Sequence, residues 1–324
     1  MLGYLNLNIL FYILIYLMNL ELTKTLGRTG NTMVCIMCAI DFCLENNIKS
    51  VSFPKIQWWS EQLLKDMVKQ RKIFVFENDI ECKLTNEKHG SASWNEEKKQ
   101  YESWFIGFYR DTPSFEKRIE LVQKYILPIF NVHPIESGNN DLVIHIRAGD
   151  IFDRNHYAYI QPPLCFYTEI IESKKWDKIF IVTENRKNPC FDYLISKYDN
   201  ITHFLDDSNR HGGNGWGFQH DLDMMLGCKN FVVSNSSLSP LVIQMSKTIN
   251  NVYIPSYCFH KGKPNATREN QLWWSMDFSN KDSDFICNNI KFNVLNYDKY
   301  TEKTKAWEYT NKDNIDYIIN YQNK

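Results

Sequence analysis

The chain lacks a concentrated block of basic residues. Lys and Arg number 37 against 38 Asp and Glu, a formal charge of -1. That balance speaks against a nucleic-acid protein, which would present a clustered positive face. It leaves room for a single local anion site. Disulfide stapling is not expected either: nine cysteines, an odd count, are scattered over 324 residues, a length that can form its own core. The lone C-x-x-C, Cys35 and Cys38, has no second pair and falls in the apolar helical stretch from Met33 to Leu44, so core packing is expected there, not zinc. HExxH, P-loop and internal repeat are all missing. So is an apolar run of full membrane-spanning length, about twenty residues. Leu2 to Leu17 is interrupted by Asn6 and Asn8 and has no positive flank before it. It is either a short signal-anchor, giving a single-pass, Golgi-type membrane protein through residues 2–17, or residues ahead of a true start at Met18, giving a cytoplasmic one. Sequons at Asn200, Asn235 and Asn265 do not help, since Asn235 lies in a turn read below as a phosphate site.

What is present is ample apolar and aromatic material, 44% and 15%, arranged as alternating strand and helix patterns. A strand near 18–24, a glycine loop and a helix to about 47 open the chain. Short strands follow at 51–54 and 73–76, with an amphipathic helix between them at 61–70. Residues 83–103 are polar and read as a surface excursion. A helix is expected over 114–130, with Ile119, Val122, Ile126 and Ile129 on its apolar side, then a linker at 134–140. The second half alternates again: strands at 142–146, 178–183, 201–205 and 231–233, and helices at 163–173, 189–197 and from Asp221. The pattern predicts an α/β protein with two Rossmann-like domains facing across a cleft. The expected divisions are 1–17, 18–138, 139–262 and a tail, 263–324, packing back on the fold with a helix at 270–276.

Leu142-Val143-Ile144-His145-Ile146-Arg147-Ala148-Gly149-Asp150 delivers a histidine, an arginine and an aspartate to one strand end. His145 and Arg147 are two apart and leave one face. Ligands of open α/β sheets collect at the carboxyl ends of strands, and a guanidinium there suits a phosphate. An Arg–Asp pair that pins the loop is the plainer alternative. Further on, Phe231-Val232-Val233 runs into Ser234-Asn235-Ser236-Ser237-Leu238-Ser239 and a helix at 240–247. Such a turn offers amides and hydroxyls to an anion, or simply caps the helix.

His145-Ile146-Arg147-Ala148-Gly149-Asp150 resembles the HxRRxD motif of GDP-fucose-dependent fucosyltransferases. The run from Asp221 through Cys228-Lys229 to Asn235-Ser236-Ser237 is similar to the later motif of the α-1,2-fucosyltransferase branch. Leu26-Gly27-Arg28-Thr29-Gly30-Asn31 resembles that family's G-x-G-N opening loop. The matches span about 20–255; the motif's second arginine is Ala148 here. The resemblance implies a GT-B architecture and an inverting, metal-independent transfer of L-fucose from GDP-fucose to a glycan hydroxyl, as an α-1,2 linkage. It also implies that His145 and Asp221 recognise guanine.

In chemical terms, Arg147 would offset the charge of the departing diphosphate, helped by Ser236, Ser237 and nearby amides, with Asn235 in the same turn. Gly27, Gly30 and Asn31 would approach the diphosphate or the acceptor. Asp150 is either a general base, for which its ordinary pKa is low, or an orienting partner of Arg147. Asp206 and Asp207 are spare bases, and the glycine loop 212–217 is a cover or a plain turn. Asp221-Leu222-Asp223 is a D-x-D, the metal-holding motif of GT-A enzymes. Its expected place at a helix start after a glycine loop favours a metal-free site. A different nucleotide sugar, marked by Ala148, and a non-catalytic binding protein remain the competing readings.

Overall fold

In this computed structural model the residues described are 19–21, 29–45, 50–54, 74–75, 81–85, 94–95, 100–101, 114–127, 132–152, 160–203, 205, 216–258, 283–302 and 312–323. The N-terminal apolar segment, the expected helices at 61–70 and 270–276, Gly27, Asp206, Asp207 and the glycine loop up to Gly215 lie outside them. The chain divides into two units, 1–113 with 117–130, and 114–116 with 131–324.

The first unit contains β1 (Asn19–Glu21), α1 (Thr29–Glu45), β2 (Ser50–Pro54), β3 (Phe74–Val75) and β4 (Glu81–Thr85). They form a sheet in the order β1-β2-β4-β3, parallel except for β3. β5 (Trp94–Asn95) and β6 (Gln100–Tyr101) pair antiparallel. The polar stretch expected to be an excursion therefore carries strands, because backbone pairing there does not depend on an apolar run. In α1, Met33, Ile36, Met37, Ile40 and Cys43 are buried, the spacing of one helical face. That face packs on a π-helical turn, Val122–Ile126, which continues α2 (Phe115–Leu121). Burial pushes the Cys38 thiol up to about 12, with Arg118 pulling weakly the other way. This half of the C-x-x-C is a core residue, as its apolar setting predicts.

The second unit is built on one seven-stranded sheet. Its strands are β7 (Leu142–Ile146), β8 (Ile179–Thr183), β9 (Ile201–His203), β10 (Asn230–Val232), β11 (Asn251–Pro255), β12 (Phe285–Cys287) and β13 (Ile290–Leu295). Spatially they run β9-β8-β7-β10-β11-β13-β12, all parallel except the edge strand β12. Numbered from β7, the parallel strands follow the order 3-2-1-4-5-6, that of the doubly wound Rossmann sheet. All five residues of β7 are buried, so both its faces are covered, which explains why apolar residues point to both sides of the strand.

The helices of this unit are α3 (Leu164–Glu172), α4 (Pro189–Lys197), α5 (Trp216–Gly227), α6 (Leu238–Met245), α7 (Asp298–Glu302) and α8 (Lys312–Asn320). α8 packs on α3 and α4, while α5 lies against β7, β8 and α6. α4 starts where its sequence says it should: Asn188 accepts a hydrogen bond from the Cys190 amide and Pro189 takes the first helical position. α5 starts earlier than expected, at Trp216, so Trp216 and Gly217 are helical. The expected linker is stitched onto α5. His133 N–H donates to Asp223 Oδ1 at 2.7 Å, Ile135 N–H to the Asp223 carbonyl at 2.9 Å and Ser137 N–H to the Gly227 carbonyl at 3.2 Å. The tail is not an appendage, because β12 and β13 extend the main sheet.

Candidate functional site

The chain leaves β7 for β8 and β9 on one side, then crosses back to β10 on the other. Between β7 and β10 the loops therefore diverge, and the carboxyl ends of those strands border the crevice where ligands of such sheets bind. Both segments singled out in the sequence end there. β7 delivers His145 and Arg147, and β10 delivers Ser234 through Ser239.

His145 is clamped between them. Its Nδ1 lies 2.9 Å from Ser239 Oγ and 3.0 Å from Ser234 Oγ, and the residue is 6% exposed. The ring thus ties the end of one central strand to the turn after the other. That gives it a structural task the sequence reading, which aimed it at the base, did not include. Arg147 is half-buried at the exit of β7, and its carbonyl accepts from Asn188 Nδ2 at 3.0 Å. Ala148 is 1% exposed. A larger side chain at this position would have to enter packed interior. Gly149 turns the chain with φ +78°, and a Cβ there would lie 2.1 Å from Glu184 Oε2. Glu184, exposed at the end of β8, therefore reaches over this turn; the sequence reading missed it. Asp150 follows in a short 3-10 turn, Gly149–Phe152.

The serine turn is held from below. Asn235, 2% exposed, donates from Nδ2 to the Ile160 carbonyl at 2.9 Å, and its own carbonyl accepts from Gln161 Nε2 at 3.2 Å. Its amide serves the fold, and a sequon buried this way is no glycan site. Ser236 Oγ accepts from the Leu238 amide at 3.2 Å, and Ser237 begins α6 without a side-chain cap. Ser236 and Ser237 are 6% and 8% exposed.

Asp221 and Asp223 are both buried within α5, not at its start. The helix-start argument for a metal-free D-x-D and the dipole account of Asp221 both lapse. Asp223 instead receives the His133 amide and, at 3.1 Å, Gln219 Nε2. Among the described residues no group of three or more His, Cys, Asp or Glu could hold a metal ion. Gly30 is buried in the first turn of α1, in the other unit, which also carries Asn31. No described helix is long and apolar enough to cross a membrane.

No family model matches the chain, and no curated protein does. Among solved structures, the fucosyltransferase NodZ from Bradyrhizobium is similar over 72% of this chain and 94% of its own, at 9% identity and a TM-score of 0.33. A likeness of that size transfers neither fold nor chemistry. The sheet order and the side chains at its centre carry the argument.

Proposed function

We propose that the crevice between β7 and β10 binds a nucleoside diphosphate sugar and that the protein is a glycosyltransferase. The supporting observation is the meeting, at the topological switch point, of a half-buried arginine and a turn rich in hydroxyls and amides. In this reading Arg147 faces the β-phosphate and offsets the charge that builds on the leaving diphosphate, while amides and hydroxyls around Ser236 and Ser237 bind it from the other strand. His145 keeps the two strand ends in register. Asp150 orients the arginine turn or takes the acceptor's proton. GDP-fucose is the donor that the resemblance of the arginine segment suggests, and Asp221 is the candidate for guanine, since a carboxylate accepts its paired N–H donors. Transfer to a glycan hydroxyl with inversion, as an α-1,2 linkage and without metal, completes the proposal.

Thermal shift against GDP, UDP, CMP and dTDP, each with and without EDTA, tests the donor. GDP should raise the melting temperature equally in both buffers. Stabilisation by UDP that requires Mn²⁺ would overturn the reading. Turnover separates an enzyme from a binder: Arg147→Ala should lower kcat/KM for GDP-fucose hydrolysis about 10²-fold or more, the scale for losing one charge-stabilising contact. Equal rates would remove Arg147 from its role.

A further inference from the structure

We propose that Asn188 is a positioning residue for Arg147: it sets the aim of the guanidinium from the loop after β8 without touching the nucleotide. This rests on reading the β7–β10 crevice as a nucleotide site. Asn188 is fully buried, and its amide is divided between two tasks. Oδ1 accepts from the Cys190 N–H at 3.0 Å and caps α4; Nδ2 donates to the Arg147 carbonyl at 3.0 Å.

The place of that second bond matters. β7 is paired with β8 up to Ile146 and Thr183, so Arg147 is the first residue beyond the ladder. Two residues later the chain turns through the positive φ of Gly149. Between ladder and turn, the Arg147 carbonyl is gripped by the Asn188 side chain. Fixing a carbonyl fixes the whole peptide plane, so Asn188 restrains both the Arg147 backbone and the amide of Ala148.

The anchor is itself held. Pro189 presets the backbone at the helix start. The route from β8 is pinned by Thr183 Oγ1 donating to the Asn185 carbonyl at 3.1 Å and by the Lys187 N–H donating to Asn185 Oδ1 at 2.9 Å. A small rotation at the Arg147 backbone is magnified along its side chain, and misplacements near 1 Å at a reacting centre cost about 10²-fold.

Two substitutions separate the tasks. Asn188→Ser keeps a good helix cap but is too short to reach the Arg147 carbonyl as well. Asn188→Asp keeps the cap and turns the donor into an acceptor facing another acceptor. Calorimetric titration of the full chain with GDP would compare wild type, both variants, Arg147→Ala and the double variant Asn188→Ser/Arg147→Ala. We expect Asn188→Ser to weaken GDP about tenfold and Asn188→Asp more, and the Asn188→Ser effect to vanish once Arg147 is alanine. Affinity within twofold of wild type for both variants, or a loss undiminished in the Arg147→Ala background, would overturn the inference and leave the nucleotide site standing. Absence of GDP binding by wild type would overturn both together. Should Asn188→Ser leave unfolded chain at the assay temperature, Asn188→Asp in the two backgrounds carries the same comparison, because an anionic cap favours the helix start.

Discussion

Gly149 occupies a backbone conformation that an L side chain enters at a cost of about 1 kcal/mol or more. A Cβ added there also meets the Glu184 carboxylate, but that group is the far end of an exposed side chain and can swing aside. The strain should therefore dominate. Gly149→Ala is expected to destabilise by about 1–2 kcal/mol in urea melts. Adding Glu184→Ala should recover no more than about 0.5 kcal/mol of it, whereas full recovery would show that the collision had been the whole effect. Legibility at this scale was uneven. The arginine and the serine turn stood out because they are chemically unusual at strand ends. Asn188 and Glu184 did not, because their roles exist only once β8 lies beside β7, and nothing local marks an asparagine before a proline as more than a cap. His145 and Asn235, expected beside the ligand, also hold the scaffold of the turn. A polar residue beside a site looks the same in sequence whether it faces the ligand or supports what does.

Gly227 presents the opposite case from Gly149. It sits at the end of α5, and a Cβ there would lie 2.1 Å from the carbonyl oxygen of Ile135, a backbone atom whose segment is already bonded to Asp223 and Gly227. Backbone held at three points cannot step aside as a carboxylate can. Gly227→Ala should cost about 1–3 kcal/mol, the range for forcing atoms into packed structure. A chemical-denaturation midpoint measures it; a change within error would mean the strap is free to lift. The elements themselves were legible where the sequence pattern was strong. α4 begins and ends as expected, and β7, β8 and β10 follow their apolar runs to within about two residues. β4 was missed because its strand, Glu81-Cys82-Lys83-Leu84-Thr85, has no apolar run. The hairpin of β12 and β13 did leave a signal. Asn288 and Asn289 turn with φ of 48° and 65°, and a two-residue loop of this kind is what asparagines favour between short β runs. Among the many asparagines of the tail the pair does not stand out.

For the molecule as a whole, the consequence of that hairpin is that residues 285–295 add two strands to the central sheet of the second unit. β13 pairs with β11 over five residues, and the following segment brings Tyr297, Tyr300, Tyr317 and Tyr321 into one aromatic cluster with Phe166. The hydroxyls of this cluster extend it to the site. Tyr297 donates to Glu169 at 2.7 Å on α3, and Tyr300 donates to the Gln161 carbonyl at 3.0 Å. Gln161 and Ile160 in turn hold Asn235 in the serine turn. A sheet whose last parallel strand comes this late, fixed by contacts running back to its centre, should not shed its last helix independently. Ile318, fully buried on α8, tests this. Ile318→Ala is expected to cost about 2–5 kcal/mol. Hydrogen exchange should quicken together in α8, α3 and β13, because the cluster couples them into one cooperative block. Exchange that quickened over 312–323 alone would show α8 fraying by itself, and the bonds from Tyr300 to the serine turn would then have no part in keeping the crevice formed.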